Sequence, residues 1–302
     1  MNGLTRSIFF GNYFYGLCTV ALSIEAVLQQ LHPLNSLTYY IFVFCGTVLY
    51  YTHAYIAEPA SIDPAHKRSV WYYRNRRFVR ISQMVMTAIV IVTGLIMLLP
   101  NRTHILHMSW LQWFVAGIFP LIAALYYGSA SPGSSTNSLR KQGWIKPFLI
   151  GFVWAGPVTL YPVLFQSIES GAIYEPGLVG FLLFIKNFMF ITMLCIMFDI
   201  KDYAADHNQN LKTFVVRLGL RKTIFYILIP LSVLGLGTFI LYAELRHFPL
   251  LRVLVNTVPF ILLITVAYSM HRRKSILYYL AIIDGLMLAK AVCGTIGIVF
   301  IK

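Results

Sequence analysis

Three carboxylates stand close together in a chain that has few: Asp199, Asp202 and Asp206, within Phe198-Asp199-Ile200-Lys201-Asp202-Tyr203-Ala204-Ala205-Asp206, out of ten acidic residues in all. At 100° per residue on a helix, their side chains point within about 60° of one another. Carboxylates gathered on one face repel unless a cation sits among them. Hard oxygen ligands in that arrangement suit Mg²⁺ carrying substrate phosphates. The alternative is a solvated helix end without a metal.

The elements that must hold this face are membrane spans. The 302 residues are 58% hydrophobic and 11% charged, with a mean hydropathy of +0.72, far more apolar surface than a soluble core needs. Each span takes about 20 mostly apolar residues, and the pattern predicts nine: Ile8 to Leu28, Leu37 to Ala57, Phe78 to Leu99, Trp110 to Gly128, Ile145 to Phe165, Pro176 to Phe198, Thr223 to Ala243, Leu250 to Met270 and Ile276 to Phe300. The expected fold is one all-α polytopic domain over residues 1–302, a bundle around a central cavity. The acidic face follows the sixth span.

Basic residues set the orientation, because loops rich in them stay on the cytoplasmic side. Of 24, only Arg102, Arg246, Arg252 and Lys302 fall on the opposite side, while Lys186 and Lys290 lie inside spans. This places the N-terminus and the Asp199 to Asp206 face in the cytoplasm, as in a protein of the cell membrane. The net charge of +14 is scattered over juxtamembrane loops. It suits topology and contact with anionic membrane lipids, not nucleic acid. Cys18, Cys45, Cys195 and Cys293 all lie inside spans without CxxC spacing and read as small buried residues. The first apolar run lacks a small-residue cleavage site, so the first span is expected to stay.

The string FDIKDYAADHNQNLKTFVVRLG, Phe198 to Gly219, resembles the second aspartate-rich motif of the UbiA superfamily of intramembrane prenyltransferases, which likewise follows span six of nine. The resemblance implies an isoprenyl diphosphate held by Mg²⁺ at the mouth of a helical bundle. Asp199, Asp202 and Asp206 are then the metal-binding and catalytic carboxylates, and Lys212 the basic residue beside the diphosphate. Mg²⁺ and a base neutralise the departing diphosphate while an allylic cation forms, and an aromatic or lipid acceptor captures it.

The family's first aspartate-rich motif belongs near the end of span two. This chain has Tyr50-Tyr51-Thr52-His53-Ala54-Tyr55-Ile56-Ala57-Glu58, then Pro59 and Asp63, and the pattern is not there. The following loop is basic and aromatic instead, with Lys67, Arg68, Arg74, Arg76, Arg77 and Arg80 around Trp71, Tyr72 and Tyr73. Arg68, Arg74 and Arg77, with Lys146 at the start of span five, are candidates to grip phosphate directly where a second metal would otherwise sit. The alternatives are an ordinary positive-inside loop and, for the whole chain, a non-catalytic relative that binds or scaffolds a polyprenyl lipid.

Charges inside the spans are costly unless paired or wet. Asp284 is expected either to pair with Lys186 or Lys290, locking spans six and nine, or to line the cavity. His53 and His207 would meet if spans two and six end side by side, which would make a metal site with the aspartates conceivable.

Overall fold

The computed structural model describes residues 3–57, 67–128, 143–172, 177–208, 212–270 and 275–301. It is helical throughout these, with no strand among the described residues. In chain order the helices are α1 (Gly3–Phe10), α2 (Tyr13–Gln29), α3 (Leu37–Ala57), α4 (Lys67–Arg74), α5 (Arg76–Leu98), α6 (Arg102–Leu106), α7 (Trp110–Gly128), α8 (Lys146–Thr159) and α9 (Tyr161–Ser170). After these come α10 (Leu178–Asn208), α11 (Phe214–Leu218), α12 (Leu220–Thr223), α13 (Ile229–Leu245), α14 (Leu250–Ser269), α15 (Ile276–Tyr278) and α16 (Gly285–Val299). Single π turns, Ile224–Leu228 and Tyr279–Ile283, lead into α13 and α16.

Six segments among the described residues are long and apolar enough to cross a membrane, and seven if a bent pair counts as one span. That pair is α1 and α2, bent by 60°, where the sequence predicts one straight span from Ile8. The break has a local cause. A Cβ on Gly11 would lie 2.5 Å from the Ser7 carbonyl, and Asn12 has a φ of 65°, which Asn tolerates better than most residues. The predicted second span is α3, with 21 residues. Its five tyrosines, Tyr39, Tyr40, Tyr50, Tyr51 and Tyr55, lower its apolarity. The predicted fourth contains a shorter apolar helix, Trp110–Tyr126.

Six helices close a ring: α2 packs on α8, α8 on α10, α10 on α13, α13 on α14, α14 on α16, and α16 on α2. The largest core cluster, with Leu22, Trp154, Phe190, Met193, Phe260 and Met287, comes from all of them or their leading π turns. Small residues permit the close approaches. A Cβ on Gly151 would stand 2.2 Å from the Thr192 hydroxyl, so α8 and α10 pack with nothing between them at that level. α3 and α5 lie outside α2, and α7 lies outside α8.

A proline inside α7 helps shape this outer layer. Pro120 leaves the carbonyl four residues earlier, that of Ala116, without its helical donor. The Tyr161 hydroxyl donates to that carbonyl at 2.7 Å.

Candidate functional site

α10 runs unbroken for 31 residues, from Leu178 to Asn208, so Asp199, Asp202 and Asp206 do lie on one helix. Asp199 is 2% exposed. The side chains of Asp202, Asp206 and His207 lie outside the described residues, as do Glu58 and Asp63.

Asp199 opens onto a cavity of about 210 Å³ at the end of the ring where α2, α8 and α16 begin and α3 and α10 end. Three cationic side chains, Arg68, Lys146 and Lys201, line it together with two carboxylates, Asp199 and Asp284. Tyr15, Tyr51, Tyr55 and Trp154 form an aromatic wall. Lys146 stands 3.5 Å from Asp199. Asp284 lines the chamber together with Tyr15, Arg68 and Lys201. It is positioned by the π turn Tyr279–Ile283, with Leu280, Asp284 and Met287 reaching the cavity at helical spacing.

Arg68 comes from α4, which the kink at Asn12 docks onto the bundle. Asn12 is fully buried and donates to Thr52 and to the Tyr72 hydroxyl, each at 3.1 Å. One Arg68 Nη donates to the Asn12 side-chain oxygen and, at 3.2 Å, to the Phe10 carbonyl. Burial pushes the Tyr72 phenol up to about 12, so it stays protonated and donates to the Phe10 carbonyl at 2.8 Å. The Arg68 guanidinium lies 4.1 Å over the Tyr55 ring, which stacks on Tyr72. Its Nε is buried and has no hydrogen-bond partner among the described residues. A buried donor on a cation without a partner costs about 1–3 kcal/mol or more.

The predicted site residues therefore separate. Arg68, Lys146 and Asp199 meet around one cavity. Arg74, Arg77 and Lys212 are exposed and do not line it. His53 is exposed at the end of α3. Among the described residues no group of three or more His, Cys, Asp or Glu is arranged to hold a metal. Asp284 belongs to the cavity and not to an ion pair with a lysine. Lys290 is six residues further on, about 120° around the helix, and Lys186 lies about 20 Å along α10 from Asp199.

Both lysines are tied to Glu25, an acid in the first predicted span. Lys290 Nζ is 2.6 Å and Lys186 Nζ 3.6 Å from the Glu25 carboxylate. Gln29 donates to Glu25 at 2.7 Å and to Asn256 at 3.0 Å, while Lys186 donates to Asn256 at 3.2 Å. A buried acid opposite two buried bases was the available signal. Lys201, Tyr15 and Tyr51 had no such signal, since their convergence depends on how the helices pack. No match to this chain is found among known protein families, curated proteins or solved structures.

Proposed function

We propose that this protein transfers a prenyl group from an isoprenyl diphosphate to an aromatic or lipid acceptor, with the polar cavity holding the diphosphate. One observation carries the reading: Arg68, Lys146 and Lys201 converge with Asp199 and Asp284 on one chamber at the end of an apolar bundle. Arg68, Asp199 and Asp284 are buried, with Lys146 and Lys201 half-buried beside them, and charges so placed are favoured by pairing or by a ligand of opposite sign. Arg68 lines the chamber, and a guanidinium suits phosphate oxygens geometrically.

In this reading the bundle has nine spans as in the UbiA superfamily, the N-terminus is cytoplasmic, and the chamber opens toward the cytoplasmic leaflet. Mg²⁺, held by Asp199 with Asp202 and Asp206, would supply further charge neutralisation on the diphosphate. Arg68, Lys146 and Lys201 hold the phosphates and stabilise the charge that grows on them as the bond from prenyl carbon to oxygen breaks, its electron pair leaving with the diphosphate. The acceptor then forms the new bond to the prenyl carbon. Asp284, on the chamber wall, takes the proton that the acceptor loses. The aromatic wall faces the allylic cation.

The test is Mg²⁺-dependent release of diphosphate from geranyl, farnesyl or longer prenyl diphosphates by the purified protein, with Asp202→Asn as control. Release by the wild type and not by the variant is expected; equal release by both removes the site. Binding without release would instead support a non-catalytic protein that holds or scaffolds a polyprenyl lipid.

A further inference from the structure

Away from the chamber, α5 turns one face outward along its whole length. Arg77, Arg80, Met84, Ala88, Ile91 and Leu95 recur in steps of three and four residues, so they share that face, and all six are exposed. Its head is basic and the rest is apolar. Arg74 and Arg76 stand beside the head and are exposed as well, with the Arg76 guanidinium 5.9 Å over the Tyr73 ring. Neither α4 nor α5 contains an acidic residue, and none of these four arginines has an ion-pair partner among the described residues. From Arg80 to Ile91 the helix rises about 16 Å, close to half of the roughly 30 Å of hydrocarbon in a bilayer. The face thus has the polarity and the length of one leaflet.

We propose that this face binds one anionic glycerophospholipid, with its phosphate held by Arg77 and Arg80 and an acyl chain lying along Met84, Ala88 and Ile91. Guanidinium groups suit phosphate oxygens, and a zwitterionic head would bring a cation of its own against the same bases. The bases are fixed in place. The Tyr13 and Ser82 hydroxyls, 2.5 Å apart, tie the start of α5 to α2, and the Asn75 side-chain amide donates to the Trp71 carbonyl at 2.9 Å, closing the turn between α4 and α5. Trp71 and Phe78 pack edge to face with centroids 6.5 Å apart, which puts aromatic rings at the level of the bases, where a bilayer interface favours them. Arg217, Arg221 and Lys222 are exposed too, but Gly219, with a φ of 76°, breaks the helix between them, so they head no continuous face. The assignment does not depend on the reading of the polar chamber.

The experiment titrates the full-length protein in detergent with dioleoyl phosphatidylglycerol or dioleoyl phosphatidylcholine, which share their tails, and reads the bound states by native mass spectrometry. Wild type should bind the first phosphatidylglycerol about tenfold or more tighter than phosphatidylcholine, and inorganic phosphate should not displace it. Arg77→Gln with Arg80→Gln should abolish that preference while phosphatidylcholine binding stays within about twofold, which also shows that the variant is folded. Arg217→Gln with Arg221→Gln and Lys222→Gln should keep the preference. Arg77→Lys with Arg80→Lys retains the charge without the planar fork; it serves if the glutamine pair cannot be purified, and its preference should fall severalfold. No preference in the wild type, a preference that survives in either Arg77 and Arg80 pair, or one lost equally in the triple variant overturns the site. Displacement by inorganic phosphate assigns the arginines to a free anion and overturns the lipid. None of these outcomes bears on release of diphosphate from a prenyl donor.

Discussion

Two charged constellations sit toward opposite ends of the bundle, and each brings cations and carboxylates together. At one end Lys186 and Lys290 share Glu25, with Gln29 and Asn256 completing the hydrogen bonds. At the other, Arg68, Lys146 and Lys201 face Asp199 and Asp284 across a cavity. The first is closed over itself: a Cβ on Gly294 would lie 2.4 Å from the Glu25 side chain, so helix α16 presses directly on the network. The second keeps a void and a buried guanidinium nitrogen without a partner among the described residues. Clustered charge alone therefore does not distinguish a site from a clamp. Open space does, because a closed, satisfied network rigidifies a core while a void lined by charge can take a ligand.

The comparison is broken most easily at the closed end. Glu25→Ala strands two buried lysines and should cost about 3–5 kcal/mol of stability, read as a collapse of the melting temperature in detergent or as failure to purify. An unchanged melting temperature would mean that the far end is no clamp.

At the chamber end the effects should fall on function. Asp284→Asn should lower turnover by about a hundredfold or more, as loss of a general base does, with the melting temperature nearly unchanged; a large stability loss and intact turnover would move Asp284 into the structural class. Arg68→Ala should weaken inorganic pyrophosphate binding by about ten- to a hundredfold, the worth of hydrogen bonds to a charged group. Arg68→Lys should restore it only in part, since an ammonium cannot reproduce the planar fork. Pyrophosphate titration of both variants by calorimetry would sharpen the contrast between the two ends.

The smallest effect lies between the two constellations, in the outer layer. Tyr161→Phe leaves the Ala116 carbonyl, already deprived of a donor by Pro120, without its hydroxyl partner and should cost about 1 kcal/mol. A shift of the melting temperature by only a few degrees, with pyrophosphate binding intact, is the expected outcome.

Long apolar runs and the charge of a few residues made much of this protein legible in advance. Span lengths follow from hydrocarbon thickness, so the helical class and most helix positions are written in hydropathy, and α10 carries the three aspartates on one helix as their spacing predicts. The break at Gly11 and Asn12 was hidden, because it depends on a backbone conformation stabilised by Thr52, Tyr72 and Arg68 from two later helices. Pairing was hidden for the same reason. Sequence shows that Asp284, Glu25, Lys186 and Lys290 must each find a partner or water, since charge in hydrocarbon is costly. Only packing decides that Glu25 takes both lysines, leaving Asp284 to the chamber. Chemistry-bearing residue types and membrane-spanning lengths were thus determined by sequence alone. Which of those residues share a cavity was decided by tertiary structure, because the ring of helices brings together side chains as far apart in the chain as Tyr15 and Asp284.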